Sequence, residues 1–231
     1  LNFYGPYIPN MEMRISNLRE LMKEELDTPL GAAYTSIHDA ERADMLQALL
    51  ADPCLMRYNP EKRCYLRTDF SSLGFGTVLL QPDDDEASLA AMKREMEGGP
   101  CEFMQKGSTL RLRPISFAAR RCRGREAKLH SHLGEGMALD WALNKFRARL
   151  WGRRFTAITD CYGLRFIMSY DGDNPVILRL QMRFMLWAMD LHHRTNEWLV
   201  DADYFSRCGA DLSFDPLVTE YTSTTRQISV S

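Results

Sequence analysis

No stretch of this chain comes near the roughly 18 consecutive apolar residues that a membrane-spanning helix needs, and residues 1–25 lack the basic, apolar, small-residue order of a signal peptide. The expectation is a soluble intracellular protein, cytoplasmic or nuclear, with no membrane partner. Cysteine is sparse: six residues, at 54, 64, 101, 122, 161 and 208, with no Cys-x-x-Cys pair, exclude a disulfide scaffold and predict free, mostly buried thiols. Histidine is sparser still. Neither His130-Ser131-His132 nor His192-His193 has the spacing of zinc ligands, because neighbours one or two apart on a helix point in different directions. Internal repeats are absent. Net charge is only −2, which by itself names no polyanionic partner.

What is present is ordinary globular material: 231 residues, 45% hydrophobic and 10% aromatic, enough for one large or two small domains. The charge is unevenly spread. Between Arg111 and Arg154 stand 12 Lys/Arg against Glu126, Glu135 and Asp140, a basic surface of the size that nucleic acids contact. The opposing reading is a solvated face balanced by Asp83-Asp84-Asp85-Glu86.

Residues 1–58 read as a small helical lead-in, with Asn10 capping a helix through Glu25 and Asp39 capping another over Ala40–Ala51, closed by Pro53. The period then changes. Arg63–Phe70 and Phe75–Gln81 read as strands around a Ser71–Gly74 turn, residues 82–108 as an exposed acidic loop with a short helix near 86–97, and Leu110–Ala118 as a third strand. From His130 to Leu150 the pattern is helical, and Glu135 shares the apolar arc of Ala138, Leu139, Ala142 and Phe146. A carboxylate on a core-facing arc needs a partner, a hydrogen-bond network, water or a metal. Strand-like residues 154–160, a helix at 175–185, a strand at 187–193 and a helix from Val200 follow, and the Ser/Thr-rich tail from 209 reads as a mobile or linker segment.

The order β-β-β-α-β-α-β-α makes the first and fourth strands candidate parallel neighbours. Both end in Thr-Asp, Thr68-Asp69 and Thr159-Asp160, so adjacency sets the two aspartates about 5 Å apart. Glu135 from the crossing helix and Asp203 near the start of the last helix are positioned to join them; Asp201 reads as a solvent or supporting residue. Convergent carboxylates without a cation repel one another, and hard cations such as magnesium take oxygen ligands.

At these residues the chain resembles a family, the RNase H region of the Pol polyprotein of Ty3/gypsy-type LTR retrotransposons. Residues Thr68-Asp69-Phe-Ser-Ser-Leu-Gly-Phe-Gly-Thr-Val-Leu-Leu-Gln81 are similar to its first hairpin, and Arg113–Arg120 to its third strand. Gly134-Glu135 through Phe146 and Leu150–Asp160 resemble its helix and fourth strand, and Ala202-Asp203-Tyr-Phe-Ser-Arg207 its closing signature. Leu1–Asn10 looks like the end of a reverse-transcriptase thumb, and Leu49–Tyr65 like the connection that follows. The resemblance implies an α/β fold: an RNase H-like mixed five-stranded sheet, three antiparallel strands and then parallel additions, flanked by helices behind the helical lead-in. It implies three segments, 1–58, 59–208 and 209–231.

It also implies a divalent-metal-dependent endonuclease that cleaves the RNA of an RNA·DNA hybrid as part of a retrotransposon reverse transcriptase, with the polymerase portion of the same polyprotein as partner. Asp69, Glu135, Asp160 and Asp203 match the catalytic and metal-binding quartet, holding two Mg2+ ions, with Mn2+ as a substitute. Arg120, Arg121, Arg123, Arg125, Arg153 and Arg154 are the candidate nucleic-acid contacts. Cys161 follows Asp160 where many relatives carry His, the 82–108 segment is longer and more acidic than usual, and the family's Pro-Gly element is replaced around Thr195-Asn196. No Tyr-x-Asp-Asp polymerase signature occurs. The alternatives are a non-catalytic hybrid-binding or connection module, a domesticated interaction protein, and an integrase or transposase, in which the glutamate comes last in sequence.

Overall fold

A computed structural model describes residues 11–23, 34–50, 55–195, 199–207 and 211–214. Asn10, Leu1–Asn10 as a whole, Pro53, Cys54 and Cys208 lie outside the described residues, and so does the segment around Asn196. The chain divides into two compact units, Leu1–Met56 and Arg57–Ser231.

In the first unit, α1 (Met11–Arg14), α2 (Ser16–Lys23) and α3 (Ser36–Leu50) are helical. The third begins four residues before the expected Ala40. Thr35 opens it: the backbone N–H of Thr35 donates to His38 Nδ1 at 2.9 Å, while Asp39 lies within the first turn. Glu41 accepts the backbone N–H groups of Asn17 and Leu18 at 3.1 and 2.9 Å, so a carboxylate of one helix caps the start of another.

The second unit is a sheet between helical layers. Its strands are β1 (Tyr65–Phe70), β2 (Gly74–Pro82), β3 (Leu112–Arg121), β4 (Phe155–Thr159), β5 (Met189–His193) and β6 (Leu212–Phe214), in the order β5-β4-β1-β2-β3-β6. The first three form an antiparallel meander; β4 joins β1 in parallel and β5 joins β4 in parallel. This is the expected mixed five-stranded arrangement. The addition is β6, three residues antiparallel to β3 within the segment expected to be a linker.

Helices α5 (Ser131–Lys145), α6 (Arg147–Leu150), α7 (Gly163–Met168) and α8 (Pro175–Phe184) follow the pattern except for α7, which is new. The buried arc of α5 comprises Gly134, Glu135, Ala138, Leu139, Ala142 and Leu143, as the periodicity requires. A Cβ on Gly134 would lie 2.3 Å from the Phe70 ring, so the glycine lets this helix close onto the end of β1. The opposite face carries α9 (Val200–Arg207), and there Gly76 matters: a Cβ on it would stand 2.1 Å from the Ala202 carbonyl oxygen.

Residues 82–108 correct the sequence expectation in one respect, their exposure. The short helix expected near 86–97 is there, as α4 (Glu86–Met96), capped by the Asp85 side chain at the Ser88 N–H (2.9 Å), but it is not wholly exposed: Ser88, Ala91, Met92 and Glu95 are buried. A charged residue on its inner face, Glu95, hid that burial. Glu95 is satisfied by Tyr65 Oη (2.9 Å), Thr156 Oγ1 (3.2 Å), the Glu102 N–H (3.2 Å) and Arg63 Nε (3.0 Å).

Candidate active site

The parallel β1–β4 register pairs Tyr65 with Thr156 and Arg67 with Ile158, so Asp69 and Asp160 leave the sheet side by side at its carboxyl-terminal edge. Glu135 reaches the same edge from α5, and its Oε1 accepts the Phe70 N–H at 3.3 Å. Asp69, Glu135 and Asp160 each bring an oxygen within 4.8 Å of the others. Three elements far apart in sequence thus meet, two of them ending in the same Thr-Asp pair.

Asp203 stands at the rim. Its charge acts on Asp69, Glu135 and Asp160, yet its Oδ1 is taken by Arg207 Nε at 2.7 Å, one turn along α9, and it lies outside the three-carboxylate group. Asp201 takes the supporting one of the two parts that the sequence left open for it. It is buried, and its Oδ2 accepts from Arg67 Nη1 at 2.8 Å, an ion pair that ties α9 to β1.

The electrostatics follow from crowding. Burial, with the charges of Asp69 and Asp160, pushes Glu135 up to about 9. Burial, opposed by the Ser206 hydroxyl and helped by Asp160 and Asp203, raises Asp69 to about 6, and burial lifts Asp160 as well. Asp69 Oδ2 and Glu135 Oε2 are buried oxygens with no hydrogen-bond partner in the structure. Carboxylate oxygens left this way, in a group with no cation among its members, fit the donor set of a hard divalent cation.

Around this group sit residues whose part was not read from the sequence. His193 Nε2 donates to the Asp160 carbonyl at 2.8 Å, and its ring lies 3.8 Å from that of Tyr162, fixing the end of β4. His132, at the start of α5, pairs through Nδ1 with Cys161 Sγ at 3.2 Å. The Asp203–Arg207 spacing of four is the one signal among these visible in sequence.

The basic residues divide. Arg120 is engaged within the protein: its guanidinium makes a two-point contact with Glu126 (2.7 and 2.9 Å) and lies 3.9 Å from the Phe75 ring centre. Arg121, Arg123 and Arg125 are exposed. Arg153 and Arg154 flank the start of β4, at the opposite end of the strand from Asp160; Arg153 donates to the Pro60 carbonyl, and Arg154 pairs with Asp190 at 2.8 Å. Of the described cysteines, Cys64 and Cys161 are buried and Cys101 and Cys122 half-buried. No helix among the described residues is long and apolar enough to cross a membrane.

Comparison with known proteins gives three findings. Residues 59–193 match the family model described as RNase H-like domain found in reverse transcriptase. No curated protein matches the chain in sequence. Among solved structures, the native protease-reverse transcriptase of prototype foamy virus is 14% identical with a TM-score of 0.62, over 84% of this chain and 23% of that one. The foamy viral protease-reverse transcriptase in complex with double-stranded DNA is 13% identical with a TM-score of 0.58, over 84% of this chain and 36% of that one. The chain thus spans only 23% and 36% of the length of these two proteins.

Proposed function

Because the chain belongs to the RNase H-like domain family found in reverse transcriptase, we propose that it is a ribonuclease H, cutting the RNA strand of RNA·DNA hybrids with divalent metal ions. We further propose that it derives from the Pol polyprotein of a Ty3/gypsy-type LTR retrotransposon, works beside a polymerase portion, and acts inside the cell. The observation that supports the activity is the meeting of Asp69, Glu135 and Asp160 within 4.8 Å, with one oxygen of Asp69 and one of Glu135 buried and unpartnered.

These three carboxylates, with Asp203 at the rim, would hold two Mg2+ ions. Bound there, the pair of divalent cations supplies Lewis-acid activation of the attacking water and charge stabilisation at the leaving oxygen. The protein's own residues do the rest. The Phe70 N–H holds Glu135 in place, and His193 steadies the strand end that bears Asp160. Arg121, the last residue of β3, and Arg123 and Arg125 on the segment that follows it are exposed and available to phosphate oxygens. Such contacts read no sequence; a duplex of this kind is selected by groove shape and by its 2′-hydroxyls.

The deciding assay uses a hybrid labelled on its RNA strand. Magnesium-dependent internal cuts by the native chain, lost in Asp69→Asn with hybrid binding retained, are expected. Binding without cutting by the native chain would instead assign a non-catalytic hybrid-binding module.

A further inference from the structure

The basic stretch between Arg111 and Arg154 splits in the folded chain, and only part of it lies near the carboxylates. Cys64, just before β1, and Asp69 are five steps apart along the chain, which sets the two ends of the strand about 17 Å apart. At the amino-terminal end of β1 and β4 there is a cavity of about 270 Å³. Lys62, Arg63, Arg149, Arg153 and Arg154 line it, against one carboxylate, Glu61. The acids that hold three of these cations, Asp84, Glu95 and Asp190, are not part of its lining. Lys62 is fixed on Asp84 and the Pro82 carbonyl, both at 2.7 Å, so its charge is ordered before any ligand arrives.

An aromatic group adjoins the cavity through Phe155, which belongs to its lining. Trp187 meets Phe155 edge-on at 6.2 Å and Trp151 edge-on at 5.0 Å. Trp151 is 46% exposed, and the Arg147 guanidinium lies 4.2 Å from its ring centre. Trp151 is outside the lining but follows Leu150, which is part of it, and core packing does not account for so large a ring open to solvent there.

We propose that this end of the sheet is a second nucleic-acid contact, separate from the carboxylate edge, where a single strand seats a phosphate in the cavity and stacks a base on Trp151. Cations that track a backbone beside an exposed aromatic platform form the usual chemistry of sequence-tolerant single-strand binding. An acidic peptide could satisfy the cations, yet it would leave Trp151 unused. The proposal does not rest on the hydrolytic activity.

The test uses the full chain carrying Asp69→Asn and a fluorescein-labelled oligodeoxythymidine of about 12 nucleotides, a length within known single-strand site sizes. Binding is followed by anisotropy, and indole quenching serves as a second signal. Trp151→Ala, and separately Arg153→Glu with Arg154→Glu, are each expected to weaken binding about tenfold. The charge reversals should also flatten the salt dependence, and a short RNA·DNA hybrid should leave the bound strand in place. Unchanged affinity in both variants would overturn the proposal. So would stoichiometric displacement by the hybrid, which puts the strand at the carboxylate edge, or displacement by poly-glutamate at equal charge concentration, which removes the role of the base. Trp151→Phe retains a stacking surface and is expected to recover most of the affinity lost in the alanine variant.

Discussion

The two ends of β1 and β4 bury acids in opposite ways. At the amino-terminal end, Glu95 has four donors around it, and Asp190 is shared by Arg63 and Arg154. Burial pushes Asp190 upward, but its bonds to Arg154 and Arg63 outweigh this and hold it below the usual carboxylate range. At the carboxyl-terminal end, Asp69, Glu135 and Asp160 face one another, and all three are pushed upward. One end uses its acids as internal cross-links. The other keeps acids that destabilise the fold, and a bound cation would offset that cost.

The largest effect that tests this contrast is catalytic. Asp69→Asn, Glu135→Gln or Asp160→Asn each removes a ligand for charge stabilisation worth several kcal/mol, so hybrid cleavage should fall about a thousandfold or more. Glu95→Gln should leave cleavage within a few-fold per folded molecule, measured under single-turnover conditions. If both ends lost activity alike, the proposed division between them would fail.

Next in size is stability at the paired end. Glu95→Ala removes the acceptor shared by Tyr65, Thr156, the Glu102 N–H and Arg63, and breaking a buried ionic network in this way costs about 3–5 kcal/mol. A urea midpoint lowered by less than half of that would show that water replaces the carboxylate without difficulty.

The unpaired end should respond with the opposite sign. Glu135 titrates near 4.5 in the unfolded chain and near 9 in the folded one, so protonation favours folding. The associated stability is fully present below about 4.5 and is lost as pH rises to about 9; Asp69 adds a smaller loss between 3.8 and about 6. Glu135→Gln, always neutral, should therefore stabilise the metal-free protein at pH 7 by about 1–3 kcal/mol and flatten its pH dependence. Added Mg2+ should raise the melting temperature of the native chain and leave that of the variant nearly unchanged. A variant that melts below the native chain without metal would refute the strain assigned to this edge.

Much of the carboxylate edge was legible in sequence, for a physical reason. Helical periodicity alone places Glu135 on the apolar arc of α5, and the preference for parallel crossovers places β4 beside β1, so that two Thr-Asp pairs become neighbours. Long-range polar pairing was not legible. Arg67 and Asp201 are 134 residues apart, and nothing local to either marks the other as its partner. Glu86–Met96 was read as exposed because Glu95, on its inner face, becomes a core residue only through partners on three other segments. The three residues of β6 carry too short a pattern to announce pairing with β3, and α7 is a single short helix without a flanking signal.

The smallest expected effect lies at the rim, where one arginine stands between the two kinds of acid. Arg207 occupies Asp203 at 2.7 Å, and its charge also lowers Asp69. Its side chain is 63% exposed, so Arg207→Ala should alter stability by less than about 1 kcal/mol. Its electrostatic effect should nevertheless be readable, because Asp69 is already raised by burial and by two neighbouring carboxylates. Removing the cation takes away one of the influences that hold Asp69 down and leaves Asp203 without its ion-pair partner. In the metal-free variant the side-chain carboxyl carbon resonance of Asp69 should titrate at higher pH than in the native chain. Arg207→Lys, which keeps the charge, should restore most of the native midpoint, whereas identical midpoints in all three proteins would mean that solvent already screens Arg207 from the carboxylate edge.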